Sequence, residues 1–243
     1  MHRKAFTIIE LMVTIGIIAL LAALALPALS GARIRAHELK AMSQLHALGL
    51  TLELYLQDAQ NPYPYHPAGT PYSYAPAGYP SPGNLTSSDD PWSLSYLWPT
   101  TLHRVAPWEQ HYQSWLGPNP QSTDSPTPWQ SANDNPAYST YRYANAFIGD
   151  PACWLTVGPA RARPTRQHET RFPSSKAIMF DLGRNYLPTN QRPKAPRAVL
   201  AADSSAALRQ DQDATPPVNN RARTLPSIQI YHDTPAGIFG RDF

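Results

Sequence analysis

The chain has 243 residues, 42% of them hydrophobic and 15% charged. That leaves room for one ordinary globular domain plus an anchor, and it excludes a charged disordered tail and a multi-span membrane protein. The net charge of +3 is no nucleic-acid footprint, because it is split: residues 59–150 carry 2 basic and 6 acidic side chains, residues 151–243 carry 13 and 7. Two solvated surfaces of one domain account for the split, and complementary faces of neighbouring copies in a repeating assembly are the alternative.

Residues 1–5, Met-His-Arg-Lys-Ala, form a short basic leader. From Phe6 to Leu29 the run is apolar, and its only ionisable side chain is Glu10. About 20 apolar residues at 1.5 Å rise cross a bilayer core of roughly 30 Å. Arg3 and Lys4 precede the run and no basic residue follows until Arg33, which favours a cytoplasmic N-terminus. A secretory signal peptide cut near Ala28-Leu29-Ser30 is one reading, but its apolar core should be shorter and free of carboxylates. A plain signal anchor explains the length but not Glu10. A carboxylate one turn into the membrane costs on the order of 3 kcal/mol, so a partner and a purpose are expected, snorkelling to the headgroups being the alternative.

The third reading rests on the order of the residues: basic leader, small Ala5, then Phe6-Thr7-Ile8-Ile9-Glu10 opening an apolar helix. This resembles the class III signal of type IV pilins and pseudopilins. The resemblance implies cleavage between Ala5 and Phe6 by a prepilin peptidase that also N-methylates Phe6. Ala5 departs from the glycine most common there, but alanine is still small. The resemblance further implies that Glu10 is the assembly residue. It would pair with the new amine of another subunit, as a register device rather than a source of net stability. Pro27 lies within the same helical pattern, where a proline removes one backbone hydrogen bond and kinks the rod.

Past Ser30-Gly31, Ile34, Met42, Leu45, Leu48, Leu52 and Leu56 recur at helical spacing, and Leu50 and Leu54 widen the stripe. Pro62 stops the run. The expectation is one helix over about Phe6–Gln60, greasy over 6–29 and amphipathic over 30–60.

Residues 61–137 are dense in Pro, Tyr, Ser, Asn and Trp, and Gly69, Gly78, Gly83 and Gly117 add turn signals. The chain holds 27 prolines, about twice the usual share of roughly 5%. Long ordered loops with short helical or strand pieces are expected. Trp92, Trp98, Trp108, Trp115 and Trp129 read as pins that hold these loops to the domain. A stacking face for sugar or single-stranded nucleic acid is the sharper alternative. His66, His103 and His111 show no metal-ligand spacing.

Residues 138–243 turn to strands. Tyr138–Phe147 alternates aromatic and polar residues, and Ala177–Asp181, Ala198–Asp203 and Ile228–Tyr231 are short apolar runs. A small antiparallel sheet packed on the helix follows, an α+β, pilin-like fold. The sole cysteine, Cys153, excludes an internal disulfide and reads as a small buried hydrophobe.

A Tyr-rich strand, Phe172-Pro-Ser-Ser, a strand ending in Asp181 and another ending in Asp203 come in that order. This resembles the large pseudopilin-like proteins of planctomycetes, themselves similar to the major pseudopilin of type II secretion. Their later strand ends in Asp-Gly-His, where this chain has Asp203-Ser204-Ser205. Asp181, Asp203, Asp211 and Asp213 are candidate calcium ligands, since hard cations take clustered carboxylates. Turn-capping by strand-end aspartates is the other reading.

No nucleophile elbow, P-loop, zinc motif or paired catalytic carboxylates occur, so no enzyme is expected. The resemblance implies a structural subunit of a type II secretion pseudopilus or related type IV filament. Its partners would be the peptidase, other subunits and an inner-membrane assembly platform. It would cross the inner membrane once, with a periplasmic head. A minor pilin whose head binds DNA, through the Arg161–Arg166 run, or a glycan or a surface, is the alternative. Nucleic acid is not the expected partner.

Overall fold

The computed structural model describes residues 7–67, 91–115, 117–118, 140–155, 162–184, 186–187, 190–221 and 230–243. Helix α1 spans Ile8–Asp58, and the chain divides into two compact units at His37/Glu38.

In the first unit the apolar side chains of α1 find nothing to pack on. Ile8, Ile9, Leu11, Met12, Val13, Ile15, Ile17, Ile18, Leu20, Leu21, Leu24, Leu26 and Leu29 are each more than half exposed. It is, among the described residues, the one helix long and apolar enough to cross a membrane. The chain stays helical through Pro27.

In the second unit one face of α1 turns inward. Ala41, Leu45, Leu48, Leu52, Tyr55 and Leu56 are buried, at spacings of three and four that bring them to one side. Leu39, Leu50 and Leu54 stay more than half exposed. Leu50 and Leu54 therefore do not widen the buried stripe as their spacing suggested. The turns that carry them lie on the far side of the rod. The helix ends in a Schellman arrangement, two residues before the expected Gln60. The Asn61 amide donates to the Leu56 carbonyl at 2.7 Å and the Gln60 amide to that of Gln57 at 3.4 Å, with Gln60 at φ 62°.

The inward face packs against a four-stranded antiparallel meander in the order β1-β2-β3-β4. The strands are β1 (Tyr141–Tyr143), β2 (Ala177–Asp181), β3 (Arg197–Ala201) and β4 (Ala206–Arg209). A close approach is at Gly49. A β-carbon there would lie 3.0 Å from Cδ1 of Leu200 and 3.2 Å from Cβ of Ser204. Helix and sheet form the α+β, pilin-like arrangement that the sequence implies.

The fourth strand is not where the apolar pattern put it. Ile228 lies outside the described residues. Ile230 and Tyr231 sit in turns, Tyr231 at φ 65°, which an extended strand cannot accommodate. The strand is instead Ala206–Arg209, reached through a tight hairpin. The Ala201 amide donates to Ser205 and the Ser204 amide to Ala201, and Ser204 takes φ 65°. This is a three-residue loop with its last residue left-handed.

Between α1 and the sheet come α2 (Leu94–Leu102) and α3 (Trp108–Trp115). Trp92, Trp98, Trp115 and Trp154 are buried. The Trp98 indole donates to the Tyr141 carbonyl at 3.1 Å and that of Trp154 to Thr234 at 2.8 Å. Trp92, Trp98 and Trp115 are pins, as expected, and Trp154 is a further one that the sequence reading did not name. Trp129 and Tyr138 lie outside the described residues, as do the side chains of Trp108 and Cys153.

Candidate functional site

Thr7-Ile8-Ile9-Glu10 has the spacing of a capping box, and the geometry is reciprocal. The Thr7 hydroxyl accepts from the Glu10 amide at 3.2 Å. The Thr7 amide and hydroxyl donate to Oε2 of Glu10 at 2.9 and 2.8 Å. Two of the four unpaired amides of the first turn are thus satisfied within the chain. The carboxylate is also drawn to the helix N-terminus, where the peptide dipoles favour negative charge. The Glu10 carboxylate is thus tied to Thr7, the residue that follows Phe6 in the sequence. Ala5 and Phe6 themselves lie outside the described residues.

The four candidate calcium aspartates are not gathered into one site. Asp181 closes the turn after β2, its Oδ1 accepting the Gly183 and Arg184 amides at 3.1 and 3.0 Å. Burial pushes its carboxyl up, against these two amides and the nearby arginines. Asp203 spans the hairpin loop to the Ser205 amide and hydroxyl, at 3.0 and 2.6 Å. Asp211 is gripped by Arg197 through two bonds, at 2.9 and 2.8 Å, and by Arg184 at 3.1 Å. Asp213 is exposed. Among the described residues no three His, Cys, Asp or Glu side chains are placed to hold a metal ion. The contacts are those of the turn-capping alternative for Asp181 and Asp203, and two arginines pair with Asp211.

A Ser–His contact that sequence reasoning missed lies in the head. Ser95 Oγ is 2.8 Å from Nε2 of His232, and both residues are buried. Nδ1 of His232 accepts the Asn145 amide at 3.2 Å. Nδ1 is thereby the unprotonated nitrogen, so Nε2 carries the hydrogen and donates to Ser95. A general base needs the opposite tautomer. The pair is a structural hydrogen bond, and no signal in the sequence links residues so far apart.

Within the arginine run, the Arg163 guanidinium is committed. Arg163 makes a two-pronged contact with Glu169 at 3.1 and 2.6 Å, which holds the Glu169 carboxyl below its ordinary value. The Arg166 amide donates to the same carboxylate at 2.8 Å. Arg161 lies outside the described residues.

Residues 1–26 match the family model described as the prokaryotic N-terminal methylation motif. The match supports a type IV pilin-like precursor. It implies processing by a prepilin peptidase, and with the apolar helix it marks a membrane-anchored chain. It points to a structural subunit of pilin-like kind rather than an enzyme. No curated protein and no solved structure matches the chain.

Proposed function

We propose that this pilin-like chain is a structural subunit of a type II secretion pseudopilus or related type IV filament. The observation that carries the reading is the methylation motif over residues 1–26, whose apolar side chains from Ile8 to Leu26 are exposed on the helix and whose one carboxylate is Glu10. Residues 1–5 are the leader, 6–29 the membrane half of the helix and 30–60 its amphipathic half. Residues 61–137 and 138–243 form the head. A prepilin peptidase cuts between Ala5 and Phe6 and methylates Phe6. The subunit waits in the inner membrane with its head in the periplasm, and an assembly platform extracts it.

The mechanism is mechanical. While the subunit waits, the Thr7 capping box satisfies Glu10 within its own chain. On assembly, Glu10 of a subunit already in place takes the Phe6 amine of the newcomer. In an apolar surround an unpaired partner is costly, so the pair sets register between neighbours. The exposed helix supplies the contact area. Pro27, which gives up one backbone bond, is where the rod can bend or loosen.

A head that binds DNA or glycan is not supported by Trp92, Trp98, Trp115 or Arg163. Trp92, Trp98 and Trp115 are buried and Arg163 is paired.

Glu10→Gln tests the proposal in cells that make the machine. Cleavage and membrane insertion should match wild type, while filament incorporation, read by shearing and cross-linking, falls at least tenfold. Incorporation at the wild-type level would remove Glu10 from the mechanism.

A further inference from the structure

The head contains a lysine and an aspartate with no exposure at all, Lys176 and Asp242, joined at 2.8 Å from Nζ to Oδ1. Every polar group of Asp242 is fixed. Its amide donates to the Ser175 carbonyl at 2.7 Å and its carbonyl accepts the Thr215 amide at 2.8 Å. Its Oδ2 accepts the Ala177 amide at 3.0 Å. Lys176 also donates to Oγ1 of Thr234 at 2.8 Å, a hydroxyl that pulls the Asp242 carboxyl downward.

We propose that Lys176 and Asp242 condense into an intramolecular amide, an isopeptide bond that staples the C-terminal tail to the start of β2. Burial lowers the lysine and raises the aspartate, each against the pull of its partner. The uncharged pair, amine and carboxylic acid, is the reactive form, because only an unprotonated amine has a lone pair to add to the carboxyl carbon. The Nζ lone pair adds to Cγ, and the Ala177 amide stabilises the charge that develops on Oδ2. The nitrogen gives up one proton, which the Thr234 hydroxyl relays to Oδ1. Oδ1 then leaves as water and the Nζ–Cγ amide remains. Atoms balance as amine plus acid to amide plus water, with no oxidant, metal or cofactor. Tethering at contact distance supplies the proximity that an intermolecular condensation lacks, and the dry site disfavours the reverse hydrolysis.

The bond would join residues 66 apart in sequence. With Cys153 its sole cysteine, the chain has no internal disulfide to do this.

The test is a digest of the full-length protein purified from its own membranes and denatured. Trypsin should yield residues 172–184 uncleaved after Lys176 and carrying the segment that follows Arg241 as a branch. The intact mass should be one water below that of the processed sequence, and Lys176→Arg should restore the water. Asp242→Asn should lose ammonia instead and give the same branched peptide. A linear peptide ending at Lys176, or a water loss located elsewhere, would overturn the proposal. The wild-type digest alone decides if either variant fails to fold.

Discussion

Asp211 sits where Arg184 and Arg197 converge, and the outcome for its protonation is a contest. Burial raises its carboxyl, but the bonds and charge of Arg197 and Arg184 outweigh that and hold it below the ordinary aspartate value. A carboxyl lowered by folding adds stability above its unfolded value, and that stability is lost as pH falls through the lowered folded value. Asp181 has the opposite sign, since burial raises it, so the wild-type curve alone mixes the two. Asp211→Asn isolates the term. The variant should be less stable at neutral pH, by about 2 kcal/mol for a charge-assisted contact. Its deficit should shrink as pH falls through the acid range. Urea midpoints of the detergent-solubilised full chain, measured across that range for both proteins, check this. A deficit that stays constant with pH would refute it. The roles of these aspartates were half legible. Strand ends with Asp suggest either turn caps or metal ligands, and only the arginines brought in from a distance decide for Asp211.

At the scale of elements, Gly49 lies inside a helix, where glycine costs about 1 kcal/mol relative to alanine. Its use is the contact with Leu200 and Ser204 at the β3–β4 hairpin. Gly49→Val should lower stability by about 1–3 kcal/mol, because the hairpin must move away. A thermal melt within error of wild type would show that the hairpin yields freely. That hairpin also explains what the sequence hid. β2 and β3 are apolar runs bounded by Ser, Pro and Asp, and both were legible. β4 reads Ala-Ala-Leu-Arg, with no β-branched or aromatic residue to announce it. It is a strand because the three-residue turn lays it beside β3. Ser204 occupies the left-handed position that glycine would fill without strain, so the turn too lacked its usual signal. Conversely, Ile228–Tyr231 looks apolar and extended, but of its described residues Ile230 and Tyr231 sit in turns, Tyr231 with a left-handed backbone.

For the whole molecule, the apolar first half of α1 was the most legible part, because length, hydrophobicity and flanking charge all point one way. Which leucines of the second half face out was not legible, since a stripe broadened by Leu50 and Leu54 satisfies the same spacing. Their exposure has a use in the proposed filament, as contact area for neighbouring subunits. Replacing both with serine should change the stability of the isolated subunit by no more than about 0.5 kcal/mol. The same replacement should reduce recovery of sheared filaments several-fold. Unchanged filament yield would move the contact elsewhere on the subunit. All of this rests on processing at the leader. The N-terminal sequence of the protein taken from its own membranes therefore tests the pilin-like reading most directly. A chain beginning at N-methylated Phe6 is the predicted result. A chain beginning near Gly31, or one still beginning at Met1 in cells with an active prepilin peptidase, would contradict it.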